Sequence, residues 1–238
     1  MSQPDPVLGV NGELPRGENK RQVVEEMFDR VAPGYDRMNR IISLGLDTRW
    51  RNRTLEALRL APAARVLDLA CGTGDFCVDL TASGYRAVGA DFSAGMLNAT
   101  RTSAPLVRVD AAALAYPAES FDAVVCGFAL RNFVDLGEVF AEVARVLRPG
   151  GRFAALDAAV PESYLARAGN TVWFRGVVPV LGRVLSRDPE AYRYLPASTA
   201  YLPEPETLIN LLVDSGFTNV EHTTMTAGSV QLLTGTRS

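Results

Sequence analysis

The segment Arg65–Phe76, RVLDLACGTGDF, restricts the fold more than any other stretch of the chain. Val66, Leu67 and Leu69 form a short apolar run, the signature of a strand buried on both faces of a parallel sheet. Gly72-Thr73-Gly74 interrupts it with residues too small and flexible to extend a strand. Phe76, Val78 and Leu80 then resume at helical spacing. Strand, glycine turn and helix in that order bring backbone N–H groups close to a ligand beside a helix N-terminus.

The glycine turn alone does not say which ligand. The dinucleotide fingerprint G-x-G-x-x-G is incomplete, because Cys77 stands at its third glycine. Asp68, four residues before Gly72, repels a pyrophosphate and attracts an ammonium group. S-adenosylmethionine carries an ammonium and a sulfonium and no phosphate. Asp91 closes the next apolar run, about 20 residues past the turn, where a carboxylate accepts ribose hydroxyls in this topology. Asp110 ends a third run and is placed to meet the adenine edge. Three acids at successive strand ends point to S-adenosylmethionine, with Asp68, Gly72, Thr73, Gly74, Asp91 and Asp110 as its candidate site. The remaining reading of Asp68 is a structural acid capping the turn.

The rest of the chain alternates in the same way. Strands are expected at Arg65–Leu69, Ala87–Asp91, Leu106–Asp110, Phe121–Gly127 and Phe153–Asp157, with helices between them and N-caps at Ser93 and Asp135. This alternation predicts an α/β fold with a mostly parallel, doubly wound, Rossmann-like sheet. Two later segments, Asn219–Met225 and Ser229–Gly235, alternate and predict an antiparallel C-terminal strand pair at the sheet edge. Ahead of the first strand, apolar stripes predict helices around Val23–Val31, after Pro33-Gly34, and over Thr48–Leu60. They are expected as an N-terminal helical cap over the cofactor site. The loop 113–120 is expected to carry Leu114 and Tyr116 toward the cofactor side. Tyr164 to Leu185 reads as one long helical stretch, apolar on most sides and kinked at Pro179. It fits a core or dimer helix, an apolar wall for a greasy substrate, or a membrane-surface contact.

These spans give a mobile tail over 1–18 and a single domain over 19–238, with the cap at 19–60 and a helical, aromatic insertion at 161–203. Among 238 residues, 47% are hydrophobic, 21% are charged and the net charge is −3. That composition suits a soluble globular domain and gives no electrostatics for binding nucleic acid. Cys71, Cys77 and Cys126 have no paired spacing, so neither a disulfide framework nor a metal site is expected. The first residues lack the positive start and apolar run of a signal peptide. With no run of ~18 apolar residues, the chain is expected to be cytoplasmic and at most a peripheral visitor to the inner face of the cell membrane.

Several stretches together resemble the ubiquinone/menaquinone biosynthesis C-methyltransferases, the UbiE/MenG family. VLDLACGTGD is shared by many class I methyltransferases and speaks for the cofactor. MFDRVAPGYDRMNRIISLGLDTRWR, FALRNFVD, AYRYLP, LLVDSGF and TAGSVQLLTG are more specific. The resemblance covers Lys20 to Arg237. It implies S-adenosylmethionine-dependent methylation of a prenylated hydroquinone, with 2-demethylmenaquinol converted to menaquinol. It places cofactor contacts at Thr73, Asp91, Asp110, Ala111 and Gly127. The family carries a serine where Gly127 stands. It usually reads Leu-Glu-Phe-Ser where this chain has Leu156-Asp157-Ala158-Ala159.

Such a reaction needs no metal. Ring carbon, methyl and sulfur must lie in line, and the ring oxygen must be favoured as its anion. Arg131, after the fourth strand, is the first candidate to stabilise that anion, because ligands of such sheets bind at the carboxyl ends of the strands. Asn132 is a candidate to orient a ring oxygen, and Asp36, Tyr35 and Tyr192 to accept or relay the proton. His222, the only histidine, is expected on a solvent-facing strand position away from the chemistry. Methyl transfer to another phenolic or lipid acceptor, including a ubiquinone-pathway benzoquinol, is the alternative reading. An NAD-dependent oxidoreductase is a more distant one, since it would want a third glycine near Cys77 and no acid at Asp68. Trp173 and Phe174 leave a homodimer open as well as a lipid contact.

Overall fold

The computed structural model describes residues 15–178, 194 and 197–238. Seven strands among them form one sheet: β1 Arg65–Leu69, β2 Arg86–Asp91, β3 Leu106–Arg108, β4 Phe121–Gly127, β5 Leu147–Ala158, β6 Phe217–Met225 and β7 Val230–Arg237. Their order is β3-β2-β1-β4-β5-β7-β6. The first five are parallel, while β7 runs antiparallel to both β5 and β6. The chain winds outward through β2 and β3 on one side and β5 on the other. The order therefore reverses between β1 and β4, and a crevice opens at the carboxyl ends of those strands.

Period-two alternation explains why the sheet is buried on both faces. Leu67, Leu69, Val124, Cys126, Phe153 and Ala155 point into one core. Val66, Ala123, Val125, Ala154 and Leu156 point into the other. The first core is closed by α6 (Leu136–Val146) with Val139, Phe140 and Val143, and by α8 (Pro205–Asp214) with Leu208 and Leu212. The second is closed by α3 (Asp47–Leu58) with Trp50, Leu55 and Leu58, and by α4 (Asp75–Ala82) with Phe76 and Leu80.

The cap is built from α1 (Gly17–Val31), α2 (Tyr35–Ile42) and α3. Polar bonds fasten it to the strand ends. Asp29 accepts from the N–H of Gly95 at 2.8 Å, in the first turn of α5 (Ala94–Asn98). Lys20 donates to the carbonyl of Phe133 at 2.6 Å, with its ammonium 3.9 Å from the centre of the Tyr201 ring. In α3, Arg51 is buried and reaches Asp47, Asp75 and Asp79 at 2.6–3.0 Å, which locks the cap to α4. Ser93 and Asp135 cap α5 and α6 as expected, accepting backbone N–H groups two or three residues on.

Three local expectations are corrected. β3 ends at Arg108, because Asp110 turns the chain by accepting the N–H of Ala112 at 3.0 Å. Leu114 and Tyr116 pack in the sheet core; the Tyr116 ring meets Phe121 edge-on at 4.9 Å. β5 begins at Leu147, since a bulge lets Leu147 pair with Phe121 before the glycine turn. The stretch expected as one helix from Tyr164 is helical as far as it is described, α7 (Tyr164–Thr171) running on into a π-helical turn at Val172–Val177. Tyr192, Pro179 and Leu185 lie outside the described residues, as do residues 1–14; α1 itself starts at Gly17.

Candidate active site

The crevice at the switch point holds a cavity of about 210 Å³. Gly72 of the glycine turn forms part of its wall. Gly72 and Gly74 take positive φ values of 54° and 89°, open to glycine and costly for other residues. This conformation aims the Gly72 N–H at the Asp91 carboxylate, 2.8 Å away. The second Asp91 oxygen accepts the N–H of Ser93 at 2.8 Å. Burial raises the Asp91 carboxyl above its usual value, and these N–H bonds work against the rise. Each oxygen keeps a further lone pair for a ligand hydroxyl. Asp110 lies across the cavity and pairs with Arg21 of α1 at 2.8 Å. The Arg21 guanidinium stacks 4.4 Å above the Phe92 ring.

The charge of this cavity identifies what it suits. Glu18, Glu25, Asp91, Asp110, Asp135 and Glu138 line it, against Arg21 alone. Such a wall favours a cationic ligand and repels a pyrophosphate. The donor set therefore fits S-adenosylmethionine. Gly72, Asp91, Asp110, Ala111 and Gly127 all lie on the cavity wall. Asp68, Thr73 and Gly74 do not. Asp68 is 1% exposed and sits beneath the turn, where it accepts the Cys77 N–H at 3.1 Å. Burial lifts its carboxyl to about 7. The acid expected to meet the ligand's ammonium instead holds the start of α4 under the turn. The Thr73 hydroxyl bonds to Asp36, and Gly74 supplies the left-handed N-cap of α4.

Gly127 explains its own departure from serine. A Cβ built there would lie 2.7 Å from the Phe76 ring, so that ring takes the space a side chain would need. Its main chain remains on the cavity wall.

A second cavity, of about 490 Å³, adjoins the first. Met38 and Ile42 of α2, Trp50 of α3, Phe128, Trp173 and Val230 give it an apolar wall. Tyr35 and Phe128 line both cavities. Phe128 holds a positive φ of 58°, uncommon for a bulky residue, and its N–H donates to Leu156 at 2.6 Å. Burial pushes the Tyr35 hydroxyl up to about 12, against the pull of Arg131. Tyr35 therefore stays protonated near neutrality and can donate a hydrogen bond.

Arg131 faces the second cavity and is almost fully buried. It forms an ion pair with the completely buried Asp157, and its Nε donates to Ser198 Oγ at 3.1 Å. Asp157 also accepts the N–H of Ala158 at 2.7 Å. Its role is to hold the arginine. Five N–H groups on a guanidinium exceed what Asp157 and Ser198 use. Asn132 lines the first cavity; its Oδ1 accepts the Tyr194 hydroxyl at 3.2 Å and its Nδ2 donates to Phe128 at 3.4 Å. Asp36 lines neither cavity. It is engaged by Thr73 and lies 3.7 Å from Arg101, tying α2 to the glycine turn. His222 is half-buried rather than solvent-facing; its Nε2 donates to Gln231 at 2.7 Å, because the Gln231 amide donates to Ala158. It lines neither cavity.

Phe128, Trp50 and Arg21 were not legible as site residues. Phe128 and Trp50 sit inside the quoted motif stretches, but only the packing brings them to one wall. Arg21 reads as one of many surface cations. Among the described residues no group of three or more His, Cys, Asp and Glu side chains is arranged to hold a metal ion.

A parallel sheet with this strand order, a glycine turn after β1 and an acidic cavity at the switch point define a class I methyltransferase. Solved structures agree on the fold. An S-adenosylmethionine-dependent methyltransferase from Thermotoga maritima superposes with a TM-score of 0.65 at 18% identity, covering 90% of this chain and 99% of that one. A phosphoethanolamine N-methyltransferase from Haemonchus contortus, in complex with S-adenosyl-L-methionine, superposes with a TM-score of 0.61 at 14% identity, covering 79% of this chain and 52% of that one. Sequence narrows the class. Residues 16–237 match the model of the ubiE/COQ5 methyltransferase family, and the chain belongs to that family. It is 42% identical over 229 residues to a demethylmenaquinone methyltransferase of Roseiflexus sp. (strain RS-1), covering 93% of this chain and 96% of that one. It is 43% identical over 210 residues to the demethylmenaquinone methyltransferase of Deinococcus radiodurans, covering 84% and 87%.

Proposed function

We propose that this methyltransferase methylates a ring carbon of a prenylated hydroquinone, 2-demethylmenaquinol, to give menaquinol, with S-adenosylmethionine as donor. The observation that carries the reading is the junction: an acidic cavity and an apolar cavity meet at Tyr35 and Phe128. A cationic donor and a greasy acceptor would be held on opposite sides of that wall. When bound, S-adenosylmethionine supplies an electrophilic methyl group. Asp91 would hold the ribose hydroxyls and Asp110 the adenine edge, while the main chain at Gly72, Ala111 and Gly127 shapes the pocket.

The residues of the second cavity prepare the acceptor. Arg131, fixed by Asp157 and Ser198, presents its spare N–H groups to a ring oxygen and stabilises negative charge there. Tyr35 adds a neutral donor at the junction. Asn132, with both amide ends engaged, holds the Phe128 wall and Tyr194 in place. Asp36 acts through position, by anchoring α2 and therefore Tyr35 to the glycine turn. The apolar wall excludes water, which strengthens each of these interactions.

The test is a methyl-transfer assay with labelled S-adenosylmethionine, offering reduced demethylmenaquinol and a demethylated benzoquinol precursor in parallel in detergent. Label in menaquinone alone is the expected result. Label in the benzoquinol alone would move the substrate to the ubiquinone pathway. Label in neither, with cofactor binding intact, would refute the quinol reading.

A further inference from the structure

We propose that Lys20 is a positioning residue for the acceptor side of the site: it clamps α1 to the turn that carries Arg131, and so fixes the direction in which Arg131 faces the acceptor cavity. The inference rests on the proposed function for what Arg131 does, and on the packing around Lys20 for how Arg131 is held.

Of the 24 lysine and arginine residues in the chain, Lys20 is the only lysine. Like Arg51 and Arg131, it is buried. Those two arginines are held by carboxylates, whereas Lys20 has no carboxylate partner among the described residues. Its ammonium instead donates to the carbonyl of Phe133 at 2.6 Å and lies 3.9 Å from the centre of the Tyr201 ring. A single carbonyl and an aromatic face suit a compact point charge; they do not offer the paired acceptors that a planar guanidinium fork uses. Burial pulls the ammonium down to about 8, so it keeps its charge at neutrality with only a carbonyl and a ring as its partners.

Both contacts lead to Arg131. Phe133 directly follows the 3₁₀ turn Leu130–Asn132, and its N–H donates back to the Leu130 carbonyl at 3.4 Å. Pinning the Phe133 carbonyl therefore fixes the far end of the turn on which Arg131 stands. Tyr201 closes a second 3₁₀ turn, Thr199–Tyr201, which directly follows Ser198. The Ser198 hydroxyl is the group that accepts from Arg131 Nε. The Tyr201 ring also packs against the Tyr194 ring, 6.5 Å between centres, and the Tyr194 hydroxyl donates to Asn132. Lys20 lines neither cavity, so its effect on the reaction runs through the residues it holds. The cofactor side of α1 is fastened by other residues, Arg21 to Asp110 and Asp29 to Gly95. One helix thus grips the two sides of the site through separate contacts, and Lys20 is its grip on the acceptor side.

The experiment compares the full chain with Lys20→Met, which removes the charge and its donors and keeps an unbranched apolar stem. Hydrogen exchange read by mass spectrometry is the first readout. Peptides spanning residues 130–133 should exchange about tenfold faster in the variant, the scale of one lost charge-assisted hydrogen bond. Peptides of β1 and of the glycine turn should keep their wild-type rates. Methyl transfer is the second readout: kcat should fall about tenfold as Arg131 loses its alignment, while calorimetry finds S-adenosylmethionine affinity within about twofold of wild type. In an Arg131→Lys background the same substitution should cost less than about twofold in kcat, because the guanidinium that Lys20 positions is gone. Unchanged exchange at 130–133, or a rise shared equally by the whole sheet, would overturn the proposal. So would equal losses of kcat in the two backgrounds. If thermal unfolding shows that Lys20→Met does not fold, Tyr201→Leu is read in the same way; it removes the ring, keeps the bond to Phe133, and should change both readouts by about threefold. The exchange readout uses no acceptor. A wild type that methylates no quinol would therefore sink the substrate reading, and the exchange rates would decide this one by themselves.

Discussion

Replacing Asp157 with Asn tests whether the Arg131–Asp157 pair organises the acceptor side of the site. Asp157 is fully buried and Arg131 is 5% exposed. The variant therefore leaves a guanidinium without its counter-charge where water does not reach. Breaking a buried pair by removing one partner costs about 3–5 kcal/mol. The amide of Asn still offers an oxygen to the N–H of Ala158 or Arg131, which places the expected loss near the lower end. For a chain of this length each kcal/mol moves Tm by about 2–4 °C. The melting temperature should fall by about 6–12 °C. Removing both charges in Arg131→Met/Asp157→Asn should restore part of the loss, with an interaction energy of about 1–3 kcal/mol in the double-mutant cycle. Thermal and urea unfolding of the four proteins supply the cycle. Methyl transfer supplies the second readout: kcat should drop in Asp157→Asn, while KM for S-adenosylmethionine holds, because neither residue lines the acidic cavity proposed for the cofactor. A single variant within about 1 kcal/mol of wild type, or a double variant that shows strict additivity, would refute the reasoning.

Three further outcomes are expected. Asp91→Ala should weaken S-adenosylmethionine binding by about ten- to a hundredfold in calorimetry, since charged hydrogen bonds to two hydroxyls are lost; unchanged affinity would remove Asp91 from the site. Gly127→Ser should destabilise by about 1–3 kcal/mol through overpacking against Phe76, yet cost nothing further in a Phe76→Leu background. Equal losses in both backgrounds would show that the clash is not with that ring. Asp68 bears on pH. Its carboxyl titrates at about 7 when folded against an ordinary 3.8, so the folded state holds an extra proton between those values. Its contribution is fully present below about pH 4 and is lost as pH rises toward 7, at up to about 1.4 kcal/mol per unit. Asp68→Asn should flatten that slope and be relatively more stable than wild type at pH 8 than at pH 5 in urea unfolding; a constant difference at both would refute it.

Local pattern made much of the sheet readable. β1 and β4 fall where their apolar runs predict, and β2 differs by a single residue. Such runs reflect burial on both faces, a property of residues adjacent in sequence. The caps at Ser93 and Asp135 were readable for the same reason, since a capping oxygen serves an N–H two or three residues on. Asp110 shows the limit. The residues before it make a mostly apolar run like a strand, yet its own side chain turns the chain two residues early. Tyr116 failed differently. Nothing in the loop around it says whether a ring faces the cavity or the sheet, and Phe121 decided the matter.

The sequence by itself determined the class of fold, the glycine turn, the acids at the end of β2 and shortly after β3, and the family. Each is encoded within about ten to twenty neighbouring residues, where period, turn chemistry and motif spacing apply. Only the tertiary structure decided that Asp68 lies beneath the turn, that Asp36 serves Thr73, and that Asp157 holds Arg131. Partners 37 and 26 residues apart set the last two roles. Their meeting depends on where helices dock on the sheet and which way each side chain then points. The junction at Tyr35 and Phe128 is of the same kind. One residue comes from the cap and the other from the end of β4, and the wall between two cavities exists only once the cap has closed over the sheet.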